Sequence, residues 1–377
     1  MFTELLLFSL WLSASCGYVQ MEVRKLQCFA VQYRGSQACA ARERMAKDMH
    51  AKENFLRIIN FNQPERILSS LPVYSLSYQG CHHETYSGEG GDDSPVGYRW
   101  VDIWGTEWHK IHAGVMGMPV GNPLADMSAL RSYLWPSADD ERIYSKIYRQ
   151  LADFPGDDLL LGAWHRDTLW EKAYMLVGME NLMAYFLTEP EYAREVLHRI
   201  MDFQIEIARH YLEAGIEIVF MGDDLGTQSG ALLGPRIVND FLAPEYRRLF
   251  EIYTSRGIYV SFHSCGKIAS VLDLLFELGV NLLNPVQASA NDLDAVRLAT
   301  QGRMALHGGI SSAILMEGPI ERIIAEVRRR MWQLGRQGGY ICAQDQGMPY
   351  PDAHLQALKQ AVEDYGRYPL TPPDSSV

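Results

Sequence analysis

The chain has 377 residues, of which 47% are hydrophobic and 21% charged. That is an ordinary soluble globular mixture, which speaks against a disordered chain and against a membrane protein. Lys+Arg 34 against Asp+Glu 46 leave a formal net charge of -12, which argues against nucleic acid as a partner.

The N-terminus carries an apolar run, Leu5 to Leu12, followed by small residues up to Cys16. It is too short to span a bilayer, and the basic start of a signal peptide is missing, since the charged side chain preceding the run is Glu4. We read residues 1–48 as an appendage, either a mis-called start ahead of Met49 or a weak signal-like segment. Residues 49–377 then form one domain. Cys16, Cys28 and Cys39 lie in the appendage, leaving Cys81, Cys265 and Cys342 for the body. Three thiols in so large a body make no disulfide framework, and a reducing, cytoplasmic setting is expected.

In chain order, strands are predicted near Pro72 to Ser75 and Trp100 to Trp104, and a third over Leu159 to Trp164. A capping box at Thr188-Glu-Pro-Glu191 predicts a long helix, with Ala193, Val196, Leu197, Ile200, Phe203, Ile207 and Tyr211 at helical spacing and Gly215 as its stop. Next come a strand Ile216 to Met221 running into Gly222-Asp-Asp-Leu-Gly226, a helical stretch Pro235 to Arg256 interrupted near Pro244, and a strand ending at His263. A helix from Ala269 to Leu278 is closed by Gly279. Three further strand-to-turn junctions follow, at Asn284-Pro-Val-Gln287, at His307-Gly-Gly-Ile-Ser311, and from Tyr340-Ile-Cys342 into Ala343-Gln-Asp-Gln-Gly347. Strands alternating with helices predict βαβ units and a parallel sheet, and eight strands make a single α/β (β/α)8 TIM barrel. A doubly wound open sheet lacks its Gly-x-Gly-x-x-Gly turn here.

In such barrels, catalytic groups gather at the C-terminal ends of the strands. Trp164, Asp223, Asp224, His263, Cys265, Gln287, His307, Cys342 and Asp345 all fall at predicted strand ends. His263 and Cys265, at i and i+2 in an extended segment, point to one side and can share a ligand. One imidazole and two thiolates, the second from Cys342, suit zinc and leave a fourth position open, as catalytic sites do. His82-His83-Glu84 has metal-like letters, but it lies in a Gly- and Ser-rich loop.

Gly222-Asp-Asp-Leu-Gly-Thr-Gln228, His263-x-Cys265-Gly266, Asn284-Pro-Val-Gln287 and the late Cys342 resemble the uroporphyrinogen decarboxylase superfamily over roughly residues 49–370. Within it, they look more like the zinc-dependent corrinoid methyltransferases, of the methylcobalamin:coenzyme M type, than like true uroporphyrinogen decarboxylase. The decarboxylase pattern Arg-x-Pro-Val-Trp-x-Met-Arg-Gln reads Ser70-Leu-Pro-Val-Tyr-Ser-Leu-Ser77-Tyr here. Both arginines, suited to hold a polycarboxylate, are gone. Asp102 stands roughly where the decarboxylase has its essential aspartate.

The resemblance implies a zinc methyltransferase that moves a methyl group between a small-molecule donor or thiol acceptor and a corrinoid carried by a separate corrinoid-binding protein. It implies zinc on His263, Cys265 and Cys342, catalytic roles for Asp223, Asp224 and Asp102, and substrate contacts from Trp164, Gln228, Gln287, His307 and Asp345. A porphyrinogen decarboxylase and a non-catalytic binding barrel are the alternatives.

Overall fold

The computed structural model describes residues 49–156 and 158–373; the predicted appendage 1–48 lies outside the described residues. Among the described residues ten strands run in chain order: β1 (Val73–Leu76), β2 (Arg99–Val101), β3 (Glu107–His109), β4 (Met118–Gly121), β5 (Leu160–His165), β6 (Ile218–Gly222), β7 (Tyr259–His263), β8 (Leu282–Val286), β9 (Ala305–Ile310) and β10 (Tyr340–Gln344). Seven of them form one parallel sheet in the order β1-β5-β6-β7-β8-β9-β10. Its strands are buried on both faces, which is why they read as near-continuous apolar runs.

The sheet curls. Val73, Leu160, Ile218, Tyr259, Leu282, Ala305 and Ile341, one from each strand, line the same face and pack into a single cluster. The helix Ala51–Ile59 adds Phe55, Ile58 and Ile59 to it. The alternate residues, among them Ala163, Val219, Phe262, Leu283, Leu306 and Cys342, face the helices in the larger core. Leu68, just ahead of β1, bridges in parallel to Ile341 of β10, so one stretch of chain reaches both edge strands.

One predicted strand is corrected. Trp100 to Trp104 does not enter the parallel sheet; β2 pairs with β3, and β3 with β4, in a separate antiparallel sheet. Trp100 and Trp108 bury one face of it and stack on each other at 6.0 Å, so these aromatic residues serve a small core of their own.

The long helix forms over Pro190–Ala214 with every predicted apolar position buried, and Gly215 ends it at φ 77. The predicted capping box does not form. Thr188 still belongs to the preceding helix Met179–Thr188, where its hydroxyl donates to the Ala184 carbonyl, and Glu189 starts the long helix without a side-chain cap. Near Pro244 the chain stays helical. A π-helical turn, Val238–Leu242, widens the backbone just before Ala243–Thr254, which relieves the clash a proline ring makes with the preceding turn. Among the described residues no helix is long and apolar enough to cross a membrane.

Candidate metal centre

The C-terminal ends of β6 and β7 bring three donors together. Asp224, His263 and Cys265 each offer one ligand atom, all within 4.8 Å of one another. His263 Nε2 lies 3.4 Å from Cys265 Sγ and 3.5 Å from Asp224 Oδ1. A tetrahedral zinc with ordinary Zn–N, Zn–O and Zn–S bonds separates its ligand atoms by about 3.5 Å. The imidazole therefore stands from both the thiol and the carboxylate at the spacing one such ion requires.

Strand register sets the imidazole. His263 ends β7 opposite Gly222 of β6 and Asn284 of β8. Its ring nitrogen Nδ1 is 3.0 Å from Asn284 Oδ1, and the Asn284 amide nitrogen is 2.9 Å from His307 Nδ1. An amide oxygen can only accept, so Nδ1 of His263 carries a proton, and in the neutral ring Nε2 keeps its lone pair on the side of Cys265 and Asp224. That is the tautomer a metal needs, held by an outer hydrogen bond.

The loop after β7 is fixed as tightly. The Cys265 N–H donates to Asp224 Oδ1 at 2.8 Å, and Gly266 N–H to Gln287 Oε1 at 2.9 Å. Gly266 has φ 79, and a Cβ there would come within 2.5–2.7 Å of the Gly226 and Thr227 backbone. A Cβ on Gly226 would in turn meet the Cys265 and Lys267 backbone at 2.6–2.8 Å. Two glycines thus let the loops after β6 and β7 touch backbone to backbone, which seats Asp224 beside Cys265.

Cys342 is not brought to this cluster. It sits in β10 with its thiol fully buried on the helix-facing side, beside Tyr340 and near Glu326 and Arg330, while Ile341 faces the interior. Burial pushes its pKa up to about 12. The group that the β10 end does send is Gln346, whose amide nitrogen is 3.3 Å from Cys265 Sγ. Without a cation, burial and then the Asp224 carboxylate hold the Cys265 thiol up at about 12 as well; a bound divalent ion supplies the charge that ionises such a thiol.

Most of the other predicted site residues brace the rim. Asp223 is buried and accepts from Leu169 N–H at 2.9 Å, Glu171 N–H at 2.7 Å and Tyr246 O–H at 2.7 Å, so it caps the helix Trp170–Val177. Burial raises its carboxyl to about 7 against the pull of those donors. Asp102 is buried away from the cluster, accepting from Trp104 N–H, Thr106 N–H and the Trp108 indole, and so closes the turn between β2 and β3. Asp345 accepts from Ser312 N–H, the Ser312 hydroxyl and Ala288 N–H. Gln287 holds Gly266, and the exposed Gln228 accepts from the Ser289 hydroxyl at 3.3 Å. Trp164 is half-buried and stacks on Phe220 with ring centroids 4.7 Å apart. His307 joins the centre through Asn284, and burial lowers its pKa to about 4 with help from His263. His83 pairs with Asp167, His82 with Arg166 and Glu84 with Lys146, so that segment is an internal ion network.

Sequence reading missed Asn284 as a positioning residue, and it missed Gln346 and Glu171 altogether. Glu171 opens the helix after β5, where burial and then Asp167, Asp224 and Asp223 push its carboxyl well above the usual range; Tyr174 O–H donates to it at 3.1 Å. Asn284 carried a signal, being the residue at the end of the strand next to β7. Gln346 and Glu171 carried none.

A parallel α/β sheet of TIM-barrel type with His, Cys and Asp donors at its strand ends defines the class. Residues 169–368 match the Uroporphyrinogen decarboxylase (URO-D) family, and the chain belongs to that family. It is 24% identical over 196 residues to the methylated-thiol–coenzyme M methyltransferase of Methanosarcina mazei, a match covering 49% of each chain, so it spans about half the length of that curated relative. In structure it resembles a methyltransferase from Methanosarcina mazei with a TM-score of 0.62 at 15% identity, covering 84% of this chain and 99% of the other.

Proposed function

We propose that the protein is a metal-dependent methyltransferase that transfers a methyl group between a small-molecule donor or thiol acceptor and a corrinoid borne by a separate protein, with zinc as the metal. The observation that carries this reading is the convergence of Asp224, His263 and Cys265, with His263 held in the metal-binding tautomer by Asn284. The kinship with a methylated-thiol–coenzyme M methyltransferase supports a thiol as the methyl acceptor or leaving group. In the same reading the C-terminal rim of the curled, TIM-barrel-like parallel sheet receives the substrate.

Zinc, when bound, supplies Lewis acidity at this rim and lowers the pKa of a thiol that reaches its open position. The chain's own residues do the rest. Asn284 fixes the His263 ring, and the Gly226–Gly266 contact keeps Asp224 and Cys265 at ligand spacing. Glu171, whose carboxyl is pushed well above the usual range by burial and then by Asp167, Asp224 and Asp223 and which accepts from Tyr174 O–H, is the group suited to give a proton to a departing thiolate. Decarboxylation of a porphyrinogen is disfavoured because Ser70 and Ser77 cannot pair with substrate carboxylates as arginines do.

The test is to incubate the purified full chain with methylcobalamin and a panel of thiols including coenzyme M, following loss of the methylcobalamin spectrum. We expect turnover that is lost on chelation and falls by at least about 100-fold in Cys265→Ala. Undiminished turnover by the chelated protein, or no methyl transfer either from methylcobalamin to any thiol or from any methylated thiol to cob(I)alamin, would contradict the reading.

A further inference from the structure

We infer that the metal at this centre is held by a single thiolate, with Asp224 in the place of a second sulfur ligand and the Gln346 amide hydrogen-bonded to the one sulfur, that of Cys265. This rests on the metal-dependent reading above and goes beyond it by fixing the donor set as one nitrogen, one sulfur and one oxygen.

Three observations carry it. First, Cys342 and the centre lie on opposite faces of the sheet. Interior and helix-facing residues alternate along β10, and Ile341 takes the interior side. Moving the Cys342 sulfur inward requires a one-residue slip of β10, which would turn every side chain of the strand over. Five register pairs with β9, from Tyr340↔Leu306 to Gln344↔Ile310, and the bond from Cys342 N–H to the Leu68 carbonyl at 2.9 Å hold it against such a slip.

Second, the side chain that the loop after β10 does place against Cys265 is Gln346, with its amide nitrogen 3.3 Å from Sγ. An amide N–H donates and cannot ligate, so it draws electron density from the sulfur and leaves the metal count unchanged.

Third, Asp224 supplies what is missing. Its Oδ1 lies 3.5 Å from His263 Nε2, at ligand spacing, and its side chain is partly exposed. A divalent ion with one carboxylate, one thiolate and one neutral imidazole is formally uncharged, as it is with two thiolates and one imidazole. The charge balance is therefore kept while a soft donor is exchanged for a hard one. The exchange reduces electron donation to the metal and strengthens its action as a Lewis acid, and it favours zinc and cobalt(II) over copper(I).

The test uses the full-length protein loaded with zinc for X-ray absorption and with cobalt(II) for optical spectroscopy. We expect one sulfur neighbour at about 2.3 Å with nitrogen or oxygen neighbours near about 2.0 Å. Cys342→Ser and, as a second variant in case of poor folding, Cys342→Ala should leave the sulfur count, the cobalt–thiolate band and the metal affinity unchanged. Cys265→Ser should abolish the band, Asp224→Asn should weaken metal binding at least about 10-fold, and Gln346→Ala should shift the band without changing stoichiometry. Two sulfur neighbours in the wild-type protein, one of them lost in Cys342→Ser, would overturn the inference and leave the metal-dependent reading standing. A chain that takes up no metal would overturn both.

Discussion

Asp223 and Asp224 share one strand end, yet their carboxylates meet different partners. Asp223 is fully buried under two backbone N–H groups and a tyrosine hydroxyl, whereas Asp224 faces His263 and Cys265 from the rim. Asp223→Ala strands three buried donors and should destabilise the fold by about 3–5 kcal/mol. Asp224→Ala loses one partly exposed hydrogen bond, about 1 kcal/mol, and its effect should fall on metal binding. Urea unfolding and a chelator competition on both variants separate the two roles, and equal stability losses would contradict the assignment. At the same scale, Asn284→Ala frees the His263 ring, and metal affinity should drop about 10–100-fold with little change in unfolding midpoint. The doublet could not be divided from sequence, because what distinguishes its members is the helix Trp170–Val177 that Asp223 caps, more than fifty residues upstream.

At the scale of elements, the junction between the loops after β6 and β7 is the part of the site with least tolerance. Gly266→Ala places a Cβ against backbone atoms and asks a residue with a side chain to hold φ 79. The combined cost is about 2–4 kcal/mol, and the separation it forces between Asp224 and Cys265 should lower metal affinity in step. Gly215, with φ 77 and nothing near its Cβ position, is a contrast; Gly215→Ala should cost only about 1–2 kcal/mol and leave the site intact. Equal effects of the two substitutions on metal binding would contradict the account. Strand ends were legible because apolar runs stop where the polar rim begins, as at Met221-Gly-Asp and Phe262-His. The face of Cys342 was not legible, since β10 is buried on both sides and alternation alone does not say which is the interior. β2 was misassigned because three residues around a buried Trp100 are too short a run to tell one sheet from the other.

For the molecule as a whole, acid stability follows from His165. Its ring is fully buried, with Nδ1 2.7 Å from Gln204 Oε1 and Nε2 2.6 Å from Tyr253 O–H, and burial lowers its pKa from 6.5 to about 4. Above pH 6.5 the ring is neutral in folded and unfolded chains alike. As pH falls from 6.5 towards 4 the unfolded chain binds the proton first, so stability is lost across that window, by about 2.5 kcal/mol at pH 4.5. Urea midpoints at pH 7.5 and 4.5 should fall further apart in the wild-type protein than in His165→Gln; identical shifts would contradict this. The alternation of strands and helices made the parallel α/β architecture legible from sequence, and two of the three donors at the centre were found by their i, i+2 spacing. Asp224 was singled out at its strand end as a catalytic candidate, but its place beside His263 and Cys265 depended on how two loops meet in space.

The central claim is that Asp224, His263 and Cys265 hold one catalytic metal. Metal content of the purified full-length chain, measured beside Cys265→Ala, tests it most directly. The account predicts about one zinc per wild-type chain and almost none in a variant that keeps its circular dichroism spectrum. Equal zinc in both proteins, or a metal-free wild-type chain with full methyl transfer, would contradict it.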